Sequence, residues 1–587
     1  MRTALRQTLE IFVLCFGALG CDAENDRREP VTEPHRLQQT VYYGGPILTM
    51  AEAKPDYVEA LVQREGQIIF TGSKRDALAR YAGKAEEVDL RGKTLMPGFI
   101  DSHGHVTMLA TTLAIANLAA PPYGKADTFA GISSALVEYI KEQNLAPGTW
   151  VMGMGYDTSI LPGHPTRELL DQVSTEHPIL IVHSSGHIGV VNSRALELTG
   201  ITRESVAPQG GVIQRLENGE PNGILEESAM WPIMLELPQP SPDKLLSQLD
   251  RALNSYASFG VTTVQDGRTT PRDLALLEMA AEAGKLYLDV IAYPAIERLS
   301  DDWQPDFEKY SKYQSRLKIG GVKLSLDGSM PGKTAYLSEP YFHVPHGRNE
   351  DYRGYPAFQQ EQVDAFVKQA WDEKWQILIH CNADAAGDQM LNAIKKLGNT
   401  TSYDWRPVMI HAQAAREDQL DDMKTLKIIP SFEMTHPFLF GDYYVSSVFG
   451  KARGERNNPA GSAFRRGIPY TFHTDAPVVV PDVLMTAWVG VNRRTRSNQE
   501  IGPDQKVTPY EAMKALTTYA AYQNFEEDIK GSLEVGKLAD LVILSDNPLT
   551  VDPMAINQIK VLETIKDGKT IYRAGGDGSR NQGTASF

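Results

Sequence analysis

Cysteine is scarce in this sequence: of 587 residues only Cys15, Cys21 and Cys381 are cysteines. So few cannot build a disulfide framework, so stability has to come from a large core. Long apolar runs are also missing. The stretch near the N-terminus, Ile11 to Leu19, covers about nine residues where a membrane-spanning helix needs roughly twenty. A polytopic membrane protein is therefore excluded. No basic run occurs, and 58 Lys and Arg against 74 Asp and Glu give a formal net charge of −16. Duplex binding rests on clustered cations that neutralise phosphates, so nucleic acid is excluded as a partner. A neutral or cationic small molecule fits that charge better. Neither an internal repeat nor a low-complexity tract is present. What remains is ordinary globular composition, with 42% hydrophobic and 22% charged residues, in a chain long enough for two or three domains or one large barrel with additions.

The N-terminus carries a processing signal. Arg2 and Arg6 precede the short apolar stretch, and Ala18-Leu19-Gly20-Cys21 closes it, which resembles a bacterial lipobox. Residues 1–20 then read as a lipoprotein signal peptide and 21–38 as a tether, with lipid on Cys21. The alternative is an ordinary cleaved signal. The expected location is the bacterial cell envelope, lipid-anchored on the extracytoplasmic face. Asp22 resembles an inner-membrane retention signal.

Short alternating runs such as Ala60-Leu61-Val62 and Gln67-Ile68-Ile69-Phe70, punctuated by Gly and Pro, predict a small β unit over 39–92. Leu541-Val542-Ile543-Leu544 and Val561 to Ile565 answer it within 530–575. A β-sandwich accessory domain built from both termini is expected. Between them, residues 93–529 alternate apolar strands with helical stretches. Eight candidate strands (95–101, 260–266, 287–293, 318–325, 376–381, 407–411, 428–432 and 469–473) predict an α/β chain folded as a (β/α)8 TIM-type barrel. The long gap after the first strand predicts an inserted substrate-covering subdomain over roughly 112–245.

The strongest local signal is Met96-Pro97-Gly98-Phe99-Ile100-Asp101-Ser102-His103-Gly104-His105. Two histidines at i and i+2 past a strand project to one side and offer two imidazoles to one divalent metal. His380, His411 and Asp475 end later candidate strands. Any one of them alone reads as a hydrogen-bonded polar residue or a helix cap. Together, at one end of the strands, they form a ligand kit for a zinc-type hydrolytic centre. Lys323, on an inward strand position, should have a lowered pKa. A neutral amine there can take up carbon dioxide as a metal-bridging carbamate, or the lysine can simply pair with Asp327 or Glu226.

These motifs add up to a family. With Trp150 to Asp157, Ser185-Gly186-His187, Val191-Asn192-Ser193, Gly387-Asp388, His411-Ala412-Gln413, Asp475-Ala476-Pro477-Val478 and Gly531 to Asp540, the mature chain resembles the amidohydrolase superfamily. The branch is amidohydrolase 3, which includes N-substituted formamide deformylase and uncharacterised metal-dependent hydrolases. The resemblance implies His103, His105, His380, His411 and Asp475 as metal-site residues, with Lys323 at the carboxylated-lysine position. It implies one or two divalent ions, zinc first. His187 and Glu226 are its substrate-binding candidates. His473-Thr474-Asp475 stands where relatives often have Gly-Ser-Asp.

The expected function is hydrolysis of a carbon–nitrogen bond other than a peptide bond, in a linear amide of N-acyl or N-formyl type. A metal-held hydroxide is the nucleophile and Asp475 the proton carrier, with His411 beside it as a second catalytic residue. The same site acting on a cyclic amide, lactone or ester, and a silent ligand-binding lipoprotein, are the alternatives. The expected partners are a small-molecule substrate and, through Cys21 only, a membrane; a homo-oligomer is compatible. Cys381 reads as packing; His343, His346 and His436 could line the pocket but read first as solvated loop histidines; Arg493, Arg494 and Arg496 could bind a carboxylate but read first as a solvated charge run.

Overall fold

Phe99–Ile100, Val261–Thr269, Asp289–Pro294 and Leu317–Ile319 pair in that order as one parallel sheet. This is a computed structural model that describes residues 39–575 apart from 185, 187, 209, 210, 239, 346 and 401. Gly321–Ser325, Gln376–Cys381, Val408–His411, Ile429–Glu433 and Thr471–His473 form a second parallel sheet, again in chain order. These strands are buried on both faces, as parallel strands covered by helices should be, although Val261–Thr269 and Gly321–Ser325 carry polar residues among the apolar ones. The expected strand 318–325 is divided at Gly320, where a Cβ would meet Tyr293 Oη at 2.5 Å, so the chain bends there and changes sheet. No continuous ladder closes the expected ring among the described residues. Between the last strand and the first, Asp475 N donates to His103 O (3.1 Å) and His105 N to Ala476 O (2.8 Å).

The helices follow their sequence signals. Pro242–Ser258 starts at Ser241, whose side chain accepts from Lys244 N. It buries Leu249, Ala252, Leu253, Tyr256 and Ala257, a 3-4 spacing that puts them on one face. Thr270 and Asp273 close a capping box at the head of Pro271–Glu282. No helix among the described residues is long and apolar enough to cross a membrane.

Residues of both chain ends build one mixed sheet of eight strands, from Gln39–Leu48 to Lys569–Arg573. The strands expected for the accessory domain are hydrogen-bonded into this one sheet. Thr94–Pro97 pairs antiparallel with Leu541–Leu544 inside it, whereas Phe99–Ile100 joins the parallel strands. The expected strand 95–101 is therefore two, parted at Gly98, where a Cβ would meet Thr262 Cγ2 at 2.4 Å. A buried ion cluster fastens this sheet beneath the parallel strands. Lys566 Nζ lies 2.8 Å from Asp289 Oδ2 and 2.9 Å from Asp540 Oδ2, and Lys530 Nζ lies 2.6 Å from Asp289 Oδ2. Between Phe99–Ile100 and Val261–Thr269, the chain forms a further six-stranded sheet spanning Ala116–Asn117 to Pro221–Glu227.

Candidate active site

The parallel register sets Cys381 beside His411, His411 beside Phe432, and Glu433 beside His473. His380, His411, Glu433 and His473 thereby gather at the C-terminal end of their strands, where parallel α/β folds carry their chemistry. His103 and His105 arrive from the neighbouring strand. Ring centroids lie 4.4 Å apart for His380 and His411, 5.1 Å for His103 and His105, and 5.8 Å for His103 and His411. Asp475 Oδ1 stands 3.1 Å from His105 Nε2 and 3.4 Å from His103 Nε2. One ligand atom each from His103, His411 and Asp475 lie within 4.8 Å of one another, and the same holds for His411, Glu433 and His473. His411 and Asp475 have positive φ, 71° and 56°, a conformation non-glycine residues rarely adopt and one that gathers at functional sites.

Hydrogen bonds fix how each ring faces the centre. His105 Nδ1 is 2.5 Å from Gly267 O; a carbonyl only accepts, so Nδ1 carries a proton. Burial would lower the His105 pKa, but the hydrogen bond and charge of Asp475 raise it, so in the metal-free chain Nε2 also donates, to the Asp475 carboxylate. His380 Nδ1 donates to Asp327 Oδ1 at 3.1 Å, which leaves its Nε2 as an acceptor, 3.3 Å from Asn382 Nδ2. His103 Nδ1 has no hydrogen-bond partner among the described residues. His473 Nδ1 contacts Ser431 Oγ at 2.8 Å and its Nε2 lies 3.3 Å from His411 Nδ1.

Burial sets the charge states. It pushes His103 well below the usual imidazole range, aided by Lys323, and does the same to His411, aided by His380. His473 falls to about 3, chiefly through burial. These rings are neutral and able to coordinate. Burial would raise Asp475, but the hydrogen bond and charge of His105 hold its carboxyl below the usual value. Burial brings Lys323 down to about 8. Its Nζ touches His103 Nε2 at 3.3 Å, so the alternative pairing with Asp327 or Glu226 is not what the structure contains.

Every expected metal-site residue is thus brought together. Glu226 does not join them: it lies in Pro221–Glu227 and accepts from Gln214 Nε2 at 2.8 Å. His187 lies outside the described residues, as do Cys21 and His346. Glu433 was not anticipated, although it ends its strand as the other ligands end theirs. Burial raises it to about 7, and its Oε1 meets His436 Nε2 at 2.6 Å. His436 is accordingly buried and paired rather than solvated. His343 is exposed, and Cys381 is buried packing, as expected. Arg493 is no solvated face either: it is fully buried and donates to Ile501 O (3.0 Å) and Asn457 O (2.8 Å).

A cavity of about 1080 Å³ adjoins the cluster in sequence. Pro477 to Val480, just after Asp475, line it with Leu109 and Thr112, just after His105. Residues 114–117, Ala119, Ala120, Met154, Asp157 and Ser184 line it from the six-stranded sheet and its loops, and Leu439, Phe440 and Arg496 from later segments. Its size suits a substrate of moderate length.

Comparison with known proteins agrees with this arrangement. A model of the amidohydrolase family matches residues 86–572. The amidohydrolase YtcJ of Bacillus subtilis is 27% identical over 91% of this chain and 99% of its own. N-substituted formamide deformylase of Arthrobacter pascens is 27% identical over 89% of this chain and 97% of its own. Among solved structures, an uncharacterised metal-dependent hydrolase from Pyrococcus horikoshii superposes with a TM-score of 0.69 at 24% identity, covering 88% of this chain and 99% of that one, which speaks to fold. With the family model spanning most of its length and its imidazoles and carboxylates gathered at one end of the parallel strands, the chain belongs to the amidohydrolase family and is a hydrolytic enzyme.

Proposed function

We propose that this enzyme hydrolyses a carbon–nitrogen bond other than a peptide bond, in a linear amide of N-acyl or N-formyl type, on a (β/α)8 scaffold. The observation that carries the reading is the gathering of His103, His105, His380, His411 and Asp475, with burial holding the His103 and His411 rings neutral. The kind of amide is supported by the deformylase relative. The donor set fits a divalent cation, and mixed imidazole and carboxylate ligation favours zinc. The specific signs of fit are His103 Nε2, 3.4 Å from Asp475 Oδ1 and 3.3 Å from Lys323 Nζ, and the hydrogen bonds of Nδ1 to Gly267 and Asp327 that leave Nε2 as the ligand atom of His105 and His380. These five residues would hold one or two ions, and Lys323, as its carbamate, would supply a further oxygen ligand. A divalent ion bound here supplies Lewis acidity, which brings water ionisation toward neutral pH and polarises a carbonyl.

The chain's own groups do the rest. Asp475, kept ionised by His105, takes the proton of the attacking water and passes it to the departing nitrogen as the C–N bond breaks and a C–O bond forms. The apolar cavity wall seats the substituent and displaces water from the carbonyl. Export and lipid attachment at Cys21 remain part of the proposal, placing the enzyme at the envelope surface. The test is a screen of N-formyl and N-acyl amines with zinc-loaded protein, reading free amine. Amine release that stops on chelation and returns with zinc is expected; hydrolysis of esters or lactones alone would overturn the amide reading.

A further inference from the structure

Three residues lining the cavity carry buried polar atoms with no hydrogen-bond partner among the described residues: Arg496 Nε and Nη1, Tyr123 Oη and Ser184 Oγ. All three side chains can donate. Asp157 Oδ2 forms an ion pair with Arg496 Nη1 at 3.6 Å, which is longer than a hydrogen bond and leaves the N–H groups themselves open, and Asp157 Oδ1 accepts from Ser159 N at 2.8 Å. Asp442 has both oxygens engaged, Oδ1 by Thr495 Oγ1 and Ser497 Oγ and Oδ2 by Ser497 N. Burial raises the Tyr123 hydroxyl above its usual range, so it stays protonated and able to donate. The expected solvated arginine is therefore a half-buried guanidinium facing a cavity with open N–H groups, an arrangement native proteins keep where something supplies the acceptor.

Charge points the same way. The whole chain carries −16, which favours neutral or cationic partners, yet the cavity is lined by Lys125, Lys244, Arg251 and Arg496 against Asp157, Glu138 and Glu142. The lining also includes apolar side chains, among them Leu113, Ala116, Met154, Leu439, Phe440 and Val479. We propose that the cavity selects substrates whose apolar substituent ends in a carboxylate, with Arg496 and Tyr123 as the groups that receive it. A planar guanidinium and a hydroxyl suit the two oxygens of a carboxylate, and such charge-assisted bonds are stronger than those to a neutral amide. The inference takes its reaction from the proposed amide hydrolysis, but the binding it describes needs no turnover.

The test uses zinc-loaded protein and two probes, 4-phenylbutyrate and its uncharged amide 4-phenylbutyramide, titrated by calorimetry at neutral pH. Wild-type protein should bind the carboxylate about tenfold or more tighter, a difference within reach of one charged hydrogen-bond donor. Arg496→Met should erase that preference and leave amide binding unchanged, and Arg496→Lys should restore part of it. Tyr123→Phe, which removes only the hydroxyl, should weaken the carboxylate several-fold and serves if Arg496→Met does not fold. No preference in the wild type, or a preference that survives Arg496→Met because the probe sits on the cation, overturns the proposal; so does an unchanged affinity in Tyr123→Phe. An enzyme that cleaves amides without this preference would sink the inference and leave the proposed reaction standing. Carboxylate binding without amide cleavage would do the reverse.

Discussion

Replacing Asp327 with asparagine attacks a carboxylate whose acceptor capacity is fully used. Its Oδ1 accepts from His380 Nδ1 (3.1 Å) and Asn382 N (2.9 Å), and its Oδ2 from Ala383 N (2.9 Å) and Tyr336 N (3.1 Å). An amide keeps one oxygen and turns the other into a donor aimed at two donors. At a cost of about 1–3 kcal/mol for each buried group left unpaired, roughly 2–6 kcal/mol is at stake. With the amide nitrogen toward Ala383 and Tyr336, the loss falls on the start of the helix Asp384–Lys396. With the nitrogen toward His380, the ring can accept only by moving its proton to Nε2, the atom that faces the centre. Loss of such an orienting partner typically weakens metal binding about 10–100-fold. Zinc affinity measured by competition with a chromophoric chelator, alongside urea unfolding of the metal-free protein, reads both effects. A folded Asp327→Asn protein with wild-type zinc affinity would refute the view that Asp327 holds His380 as a ligand.

Asp475→Asn should reduce amine release by about 10²–10⁴-fold with the far-ultraviolet dichroism unchanged; activity within tenfold of wild type would mean that another group carries the proton. Lys323, lowered to about 8 by burial, is charged below that pH and neutral above it, and only the neutral amine adds carbon dioxide. With ¹³C-bicarbonate, a carbamate resonance should therefore grow as pH rises through about 8 and be absent in Lys323→Met; a signal that is missing or unchanged in the variant contradicts it. Lys566→Met leaves Asp289 and Asp540 without a cation they bond at 2.8 and 2.9 Å. It should cost about 3–5 kcal/mol in urea unfolding, whereas Lys569→Met, at an exposed end of the same hairpin, should cost almost nothing. Burial would raise Asp289, but Lys530 and Lys566 hold its carboxyl below the usual range. Its stabilisation is thus present above about pH 4 and lost as pH falls through the lower folded value; in Lys566→Met, which brings the folded value nearer the unfolded one, that acid-side loss should be smaller, as urea unfolding at stepped pH would report.

How much could be read in advance depended on whether the information was local. An apolar run ending in a polar side chain is a local signal, and it located His103, His105, His380, His411 and Asp475, because in a parallel strand the end of the run is also the functional end. Glu433 carried the same signal at the end of Ile429–Glu433, but a carboxylate there has no motif to set it apart from a solvated acid. Only the register that places it beside His473 makes it part of the cluster. The breaks at Gly98 and Gly320 depend on contacts with Thr262 and Tyr293, partners far along the chain that periodicity does not see. The same holds for the lysines. Lys530 and Lys566 look like surface cations in sequence, yet each is 2% exposed or less and surrounded by acids from separate segments. Arg493 and Arg496 separate for the same reason, one filling its donors with carbonyls and the other left with open N–H groups. Residue type at a strand end therefore reveals which groups can react. Which of them stay charged, and which still lack a partner, is decided by neighbours hundreds of residues away, and that difference separates a structural cation from one able to choose a substrate.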